Sequence, residues 1–228
     1  MSTPLSLNDP FTLFIVALAS ILIVGYLIGR AVNRGRARAI SIWLEPGMRT
    51  LGGMPMVQVV NRTAFRVKVT QARAPFAVVT ASVVLLSREV LPVWLWEWIH
   101  RHSDVMFFHL TLQHSPRIGV EIVNPTCELG RRGKAQAEHL QWPLATTRGA
   151  YHLYCAESNP SDHLVDRFLT HIADARYMPH RVAIRADAPH VLVSFAFSEI
   201  QHFSSAELIR WITQLVRLIP LGEEGKHV

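Results

Sequence analysis

The chain has 228 residues, half of them hydrophobic, and a formal net charge of +6. This length accommodates one membrane segment and one domain of ordinary size, and the hydrophobic content excludes a chain that is disordered throughout. Residues 1–53 hold five arginines against two acidic residues, so half of the positive excess lies near the N-terminus. The remaining excess is too dilute for a nucleic-acid-binding surface, and we do not expect nucleic acid as a partner.

The N-terminal region contains an uncharged, apolar run at residues 11–29. A helix of this length rises about 28 Å, close to the ~30 Å hydrocarbon core of a bilayer. A cleaved signal peptide is the alternative, because residues 17–19 resemble a small-residue cleavage site. However, no positive charge precedes Phe11, and a cut at that site would leave only a short apolar run upstream. The run therefore predicts a single transmembrane helix.

Charged residues on either side of this run predict its direction. Only Asp9 precedes it, whereas four arginines follow it closely: Arg30, Arg34, Arg36 and Arg38. Because basic residues are retained on the cytoplasmic side, we predict a single-pass cell-membrane protein with residues 1–10 outside and the C-terminal domain in the cytoplasm. Gly25 and Gly29 form a small-xxx-small pair of the kind that permits close helix contact.

The part of the chain after the apolar run divides into three segments. Residues 30–53 are predicted to be a basic juxtamembrane connector with a helix that ends near Pro46. The glycine pair at positions 52–53 marks the predicted domain boundary. Residues 54–220 then form the cytoplasmic domain, and residues 221–228 form a flexible tail.

Alternating apolar side chains in this domain predict antiparallel strands. Three hairpins are predicted, from residues 64–70 with 76–86, 106–112 with 118–122, and 182–184 with 191–197. A further strand is predicted at 151–155, whereas 124–148 lack a sustained period and are interpreted as a long loop. A second membrane helix at 76–99 is the competing interpretation, but Arg88 and Glu89 would lie near its centre.

Three helices accompany the strands. Ser87 is expected to cap a short one, Asn159 to cap a second, and Ser204 with Glu207 to form the capping box of a third. The side chains expected to face inward from the third are Leu208, Trp211, Ile212, Leu215 and Ile219. The predicted class is α+β: an N-terminal single transmembrane helix, then an antiparallel sheet of about seven strands with about three helices packed on one face.

Three of the six tryptophans lie within five residues, at Trp94, Trp96 and Trp98. On a helix, Trp94 and Trp98 share a face and are expected to pack on the sheet, whereas Trp96 points about 200° away. We therefore predict that this segment supplies an interface contact with the bilayer or with a partner. The alternative is that all three rings belong to the core.

A basic group at Arg131, Arg132 and Lys134 is the candidate anion contact. It is not a P-loop, because the spacing is too short and Ala135 replaces the residue that would contact magnesium. Anionic lipid headgroups, a nucleotide or an acidic partner are its candidate ligands, and an ordinary solvated loop is the alternative.

The other polar residues carry no recognisable chemical motif. The twelve histidines show no metal-binding spacing, and the acidic and histidine residues between 162 and 174 are interpreted as the solvated side of a helix. Cys127 and Cys155 are too far apart in sequence for a CxxC pair, and we expect free thiols, with Cys155 in the core; a disulfide between the two is the alternative. We predict no cofactor, no metal and no catalytic residue.

Function is therefore predicted only coarsely. The tether and the aromatic segment indicate a membrane-tethered cytoplasmic interaction or accessory domain, a candidate subunit of a larger membrane assembly. Its predicted partners are the lipid bilayer, through residues 11–29, and an unidentified protein. The alternative is an enzyme acting on a membrane-proximal substrate through a dispersed His, Asp and Arg site, and the lack of a catalytic motif disfavours it.

Overall fold

The structure is a computed structural model that describes residues 9–100, 102–156, 162–173 and 176–222. The chain divides into two compact units. The first comprises Met1–Ile40 with Leu85–Ser103, and the second comprises Ser41–Val84 with Asp104–Val228. The predicted cap Asn159 and the acidic residue Asp174 lie outside the described residues.

The described part of the chain contains six helices and nine strands. The helices are α1 (Pro10–Arg49), α2 (Leu91–Ile99), α3 (Glu128–His139), α4 (Asp162–Ala173), α5 (Phe197–Ile200) and α6 (Ser205–Arg217). The strands are β1 (Pro55–Val59), β2 (Ala64–Thr70), β3 (Phe76–Val84), β4 (Val105–Leu112), β5 (Val120–Val123), β6 (Leu144–Arg148), β7 (Tyr151–Cys155), β8 (Arg181–Ile184) and β9 (Val191–Ala196). The predicted α+β class is confirmed.

The first unit is built from the N-terminal part of α1 and from α2. Among the described helices, only α1 has the length and apolar composition that crossing a membrane requires, and 6% of its most apolar stretch is buried. α2 begins after Val90 and not after the predicted cap Ser87, whose amide instead donates to the Glu97 carboxylate at 2.9 Å. No residue of α2 is buried.

The second unit is built on one antiparallel sheet in the order β1-β2-β3-β4-β9-β8-β5-β7-β6. The predicted β2–β3 and β8–β9 hairpins are confirmed. The predicted hairpin of β4 with β5 is wrong, because β4 pairs with β3 and β9 while β5 pairs with β7 and β8. All four residues of β5 are buried, so this strand needs a neighbour on each side and cover on both faces.

One face of the sheet is covered by α4 and α6. Trp211 of α6 stacks on His171 of α4 with ring centroids 5.2 Å apart, and it meets Phe195 of β9 edge-on at 6.0 Å. The five inward side chains predicted for this last helix are all buried, as expected. Ser204 is the N-cap of α6 but makes no side-chain cap hydrogen bond, so the predicted capping box does not form.

The C-terminal end of α1 also belongs to this unit. Trp43 Nε1 donates to the Phe203 carbonyl at 2.8 Å, and the Gly47 amide donates to Ser205 Oγ at 3.0 Å. The helix was expected to end near Pro46, but it continues to Arg49. A proline disturbs the amide hydrogen bonds of its own turn, and here the Ser205 hydroxyl supplies a partner from outside the helix.

α3 occupies the segment that was interpreted as a loop, and it packs on the opposite face of the sheet. Its Ala137 forms a buried cluster with Val123 of β5 and Tyr154 of β7. Two glycines hid this helix in the sequence, because they interrupt its apolar period. A Cβ on Gly130 would lie 1.7 Å from the Asn124 carbonyl oxygen, and one on Gly133 would lie 2.6 Å from Val123 Cγ1. Both glycines are therefore required by close packing.

Candidate functional site

Within the first unit, Gly25 and Gly29 form the surface on which the segment before α2 packs. A Cβ on Gly25 would lie 2.1 Å from Leu91 Cδ1, and one on Gly29 would lie 1.9 Å from the Arg88 carbonyl oxygen. Any side chain at either position would therefore push this segment away. The Gly25–Gly29 pair therefore permits close contact between α1 and the segment before α2 of the same chain.

Asn33 continues the same stripe of α1 one turn later and fixes the segment by hydrogen bonds. Its Nδ2 donates to the Leu86 carbonyl at 3.1 Å, and its Oδ1 accepts from Arg88 Nη1 at 3.0 Å. The Asn33 side chain is buried, so both of these bonds are shielded from water. Glycine contacts and a polar contact thus hold the start of α2 against α1.

α2 leaves most of its aromatic surface uncovered. Trp96 is 62% exposed and Trp98 is 66% exposed, whereas Trp94 is half-buried. The expectation that Trp98 packs inward with Trp94 is wrong, because only the stripe at Leu91, Trp94 and Glu97 is partly covered. An exposed tryptophan pair is unusual for a soluble surface, and the interface contact expected of this segment stays a prediction.

The four arginines predicted to orient the helix lie on α1 directly after its apolar stretch. Arg34 and Arg38 are exposed, and Arg30 and Arg36 are half-buried. Arg30 Nη1 donates to the Tyr26 hydroxyl at 3.4 Å. These positions are compatible with contact to phosphate headgroups. The direction in which the helix crosses the membrane stays a prediction.

The predicted anion contact lies on α3 and not on a loop. Arg132 pairs with Glu128 at 2.5 Å, and Lys134 pairs with Glu138 at 3.7 Å, each one helical turn apart. Arg131 is exposed. Two of the three basic side chains thus have an acidic neighbour on the same helix, which lowers the positive charge of this surface, and the anion contact stays a prediction.

A second group of residues, whose spacing in the sequence forms no recognisable motif, lies at one end of the sheet. Cys127 is the N-cap of α3, His180 directly precedes β8, and Glu199 lies in α5 after β9. The His180 imidazole lies beside the Cys127 thiol, close enough for each group to shift the pKa of the other, and its Nε2 is 3.1 Å from Glu199 Oε2. A thiol, an imidazole and a carboxylate are therefore connected in series.

The backbone holds this group in place. The Asn124 amide donates to the His180 carbonyl at 3.0 Å, and the His180 amide donates to the Ser194 carbonyl at 2.8 Å. The Asn124 side chain accepts from the Thr126 amide at 3.1 Å and closes the turn that presents Cys127. His180 is thus fixed by the sheet, and Cys127 by the turn that precedes α3.

Ionisation in this group is coupled. Burial opposes the charged form of His180, but hydrogen bonds to Cys127 and Glu199 outweigh it and raise its pKa to about 9. Burial also opposes the Cys127 thiolate, but hydrogen bonds from His180 and from the Gly130 amide lower its pKa below the ordinary value. Burial, followed by the nearby charges of Glu199 and Cys127, raises the pKa of Tyr151 to about 12.

Next to His180, a buried ion network fixes the start of β8. Glu121 of β5 is fully buried and accepts hydrogen bonds from Arg181 and, at 3.2 Å, from Arg185. Arg181 also donates to Gln136 of α3 at 3.0 Å. A buried carboxylate needs such partners. We therefore interpret the network as structural, because it connects β5, β8 and α3.

No known protein family model matches this chain, and no curated protein is detectably similar to it in sequence. Within the described residues, no group of three or more His, Cys, Asp or Glu side chains is arranged to hold a metal ion. Hollows are present elsewhere, for example one of about 510 Å³ between α4 and α6, lined in part by Arg167, His171 and Trp211. α2 and the group around Cys127 are therefore the two candidate functional regions among the described residues.

Proposed function

We propose that this protein is a membrane-tethered interaction or accessory domain, anchored by residues 11–29 and held at the cytoplasmic face of the bilayer by α2. The observation that carries the proposal is that α2 starts against the end of the apolar stretch of α1 while Trp96 and Trp98 remain exposed.

The level of α2 along α1 supports this placement. Leu91 contacts Gly25, and the Arg88 carbonyl contacts Gly29, which is the last residue of the apolar run. In a spanning helix these positions lie close to the boundary between acyl chains and headgroups. Tryptophan is enriched at that boundary because one ring combines an apolar body with an N–H donor. The exposed rings of α2 therefore suit the lipid interface.

The anchor and α2 act together in this proposal. A short amphipathic helix binds a bilayer weakly, but its binding becomes intramolecular once a neighbouring helix spans the same membrane. The contacts of Gly29 and Asn33 with the segment before α2 then limit how far that helix can move from the surface. In this proposal α2 therefore limits the orientations that the anchored part of the chain takes at the membrane surface.

The interaction part of the proposal is supported by β1. This strand is at the edge of the sheet, and its Met56, Val57 and Val59 side chains are exposed. Exposed apolar edge strands are surfaces on which other chains add a strand or pack. An accessory domain presented at the membrane needs such a surface.

Depth-resolved fluorescence quenching tests the placement of α2. The full chain is reconstituted in phospholipid vesicles whose acyl chains are brominated either near the headgroup or near the terminal methyl. We expect the shallow bromines to quench tryptophan emission, and we expect a Trp96→Phe/Trp98→Phe variant to lose most of that quenching. Trp142→Phe, which changes a half-buried ring of the second unit, is the matched control. Unchanged quenching in the double variant would contradict the proposal.

A further inference from the structure

The cysteine, histidine and glutamate at the end of the sheet are arranged as a nucleophile with a base and an orienting acid. Nucleophilic catalysis by cysteine requires a thiol within hydrogen-bond reach of a base that a third group holds in place. Glu199 binds Nε2 of His180, at 3.3 Å through Oε1 and 3.1 Å through Oε2. The Cys127 thiol is the other group that acts on this imidazole.

We propose that Cys127, His180 and Glu199 form a nucleophilic site that accepts acyl groups from esters or thioesters. This inference goes beyond the tethering function and does not depend on it. Cys127 and His180 are the groups that move protons and form bonds, and Glu199 is a positioning residue.

The reaction begins with transfer of the Cys127 proton to His180, which leaves a thiolate and an imidazolium. The thiolate attacks the carbonyl carbon of the acyl donor, and a sulfur–carbon bond forms. As the bond from that carbon to the alcohol or thiol leaving group breaks, the leaving group takes the proton from His180. The products are S-acyl Cys127 and the free alcohol or thiol. Water, deprotonated by His180, then releases the acid and restores the thiol.

The surroundings of the sulfur favour its anionic form. Cys127 is the N-cap of α3, and helix N-termini stabilise negative charge through unpaired backbone amides. The Gly130 amide donates to Sγ at 3.4 Å, which favours the thiolate, whereas the hydrogen bond of the neutral thiol to the Asn124 carbonyl at 3.2 Å opposes ionisation in part. The ionisable groups that shift the pKa values of Cys127 and His180 are each other and, for His180, Glu199; Glu199 and Cys127 in turn raise the pKa of Tyr151.

The two cysteines of the chain provide an internal comparison. Neither cysteine is in a disulfide, but Cys127 is half-buried, whereas Cys155 is 1% exposed in β7. A capping role alone would be met by serine, which is a stronger N-cap. Cys127→Ser therefore preserves the cap and removes the nucleophile, and it separates the chemical role from the structural one.

Alkylation rates test the thiolate. The full chain in mild detergent is treated with iodoacetamide between pH 5.5 and 9.5, and modification of each cysteine is followed by peptide mass spectrometry. At pH 6.5 an ordinary thiol is only about 1% ionised, so we expect Cys127 to react at least about tenfold faster than it does in His180→Gln. His202→Gln, at an exposed histidine, should leave the rate unchanged. Near pH 9.5 the parent and His180→Gln should react alike, which shows that access is intact.

Acylation tests the proposed substrate class. Para-nitrophenyl acetate is added near pH 7, and acetyl transfer is located by mass. We expect an acetyl group on Cys127, no acetyl group at position 127 in Cys127→Ser, and slower transfer in Glu199→Gln than in Glu207→Gln. An alkylation profile that His180→Gln leaves unchanged would overturn the proposal. Failure of acetyl to appear on Cys127 while Cys127 alkylates rapidly would overturn it equally.

Discussion

Gly29 of α1 lies directly against the backbone carbonyl of Arg88, so closely that a Cβ at position 29 would be 1.9 Å from that oxygen. A backbone atom cannot rotate away as a flexible side chain can. The position of the segment that leads into α2 therefore depends on this glycine.

We expect Gly29→Val to displace the segment before α2. Gly35→Val is the matched control, because nothing lies within 4 Å of a Cβ at position 35 of the same helix. Both changes carry the same intrinsic cost for a β-branched residue in a helix. Hydrogen exchange of peptides covering residues 86–99, measured in vesicles, should accelerate in the first variant and remain as in the parent in the second. Equal exchange in the two variants would show that the contact does not restrain α2.

The buried ion network should dominate the stability of the second unit. Glu121→Gln leaves Arg181 and Arg185 without their buried carboxylate, and we expect a loss of about 3–5 kcal/mol in the free energy of unfolding. Glu128→Gln removes a carboxylate whose partner Arg132 is exposed, and about 0–1 kcal/mol is expected. Denaturant unfolding followed by near-UV circular dichroism measures both. Similar losses in the two variants would mean that burial does not set the cost.

The sequence predicted those parts of the fold that depend on neighbouring residues. The β2–β3 hairpin follows from clean alternation and a proline turn, and the buried stripe of α6 follows from its period. β5 was misassigned because a short strand buried on both faces carries no alternation, and its partners lie far away in the chain. The Cys127 site depends on this same non-local pairing, since β5 and β8 bring Asn124 and His180 together.

Stability should fall at alkaline pH through His180. Its pKa is raised to about 9 in the folded protein from an ordinary value of 6.5. The protonated form therefore stabilises the fold fully below pH 6.5, and this contribution is lost as the pH rises through about 9. The lowered pKa of Cys127 acts in the opposite sense and offsets part of the loss. We expect His180→Gln to differ from the parent more at pH 6 than at pH 9.5 in urea unfolding. A difference that grows with pH would contradict this.

The end of α1 should be needed for the second unit to fold. That unit begins at Ser41, and Leu44, Met48 and Leu51 are buried in it. Each such side chain contributes about 1.5–3 kcal/mol when buried. In mild detergent, a chain starting at Ser41 should unfold cooperatively, whereas one starting at Met54 should be much less stable or aggregate. Equal midpoints of thermal unfolding would show that the helix end adds nothing.

The direction of the anchor should depend on the arginines that follow it. Arg30, Arg34, Arg36 and Arg38 come within nine residues of the apolar run, and only Asp9 is a charge on its other side among the described residues. Moving this positive cluster across a bilayer is unfavourable, so the C-terminal part of the parent chain is expected in the cytoplasm. A reporter that is active only outside the cytoplasm, fused after Val228, should be silent in the parent. Replacing the four arginines with serine should switch the reporter on in part of the population.

The control replaces four exposed arginines of the second unit: Arg73, Arg131, Arg210 and Arg217. The reporter should remain silent in this variant, because these charges lie far along the chain from the anchor. Strong reporter activity in the parent would reverse the orientation, and silence in the serine variant would remove the arginines as its cause.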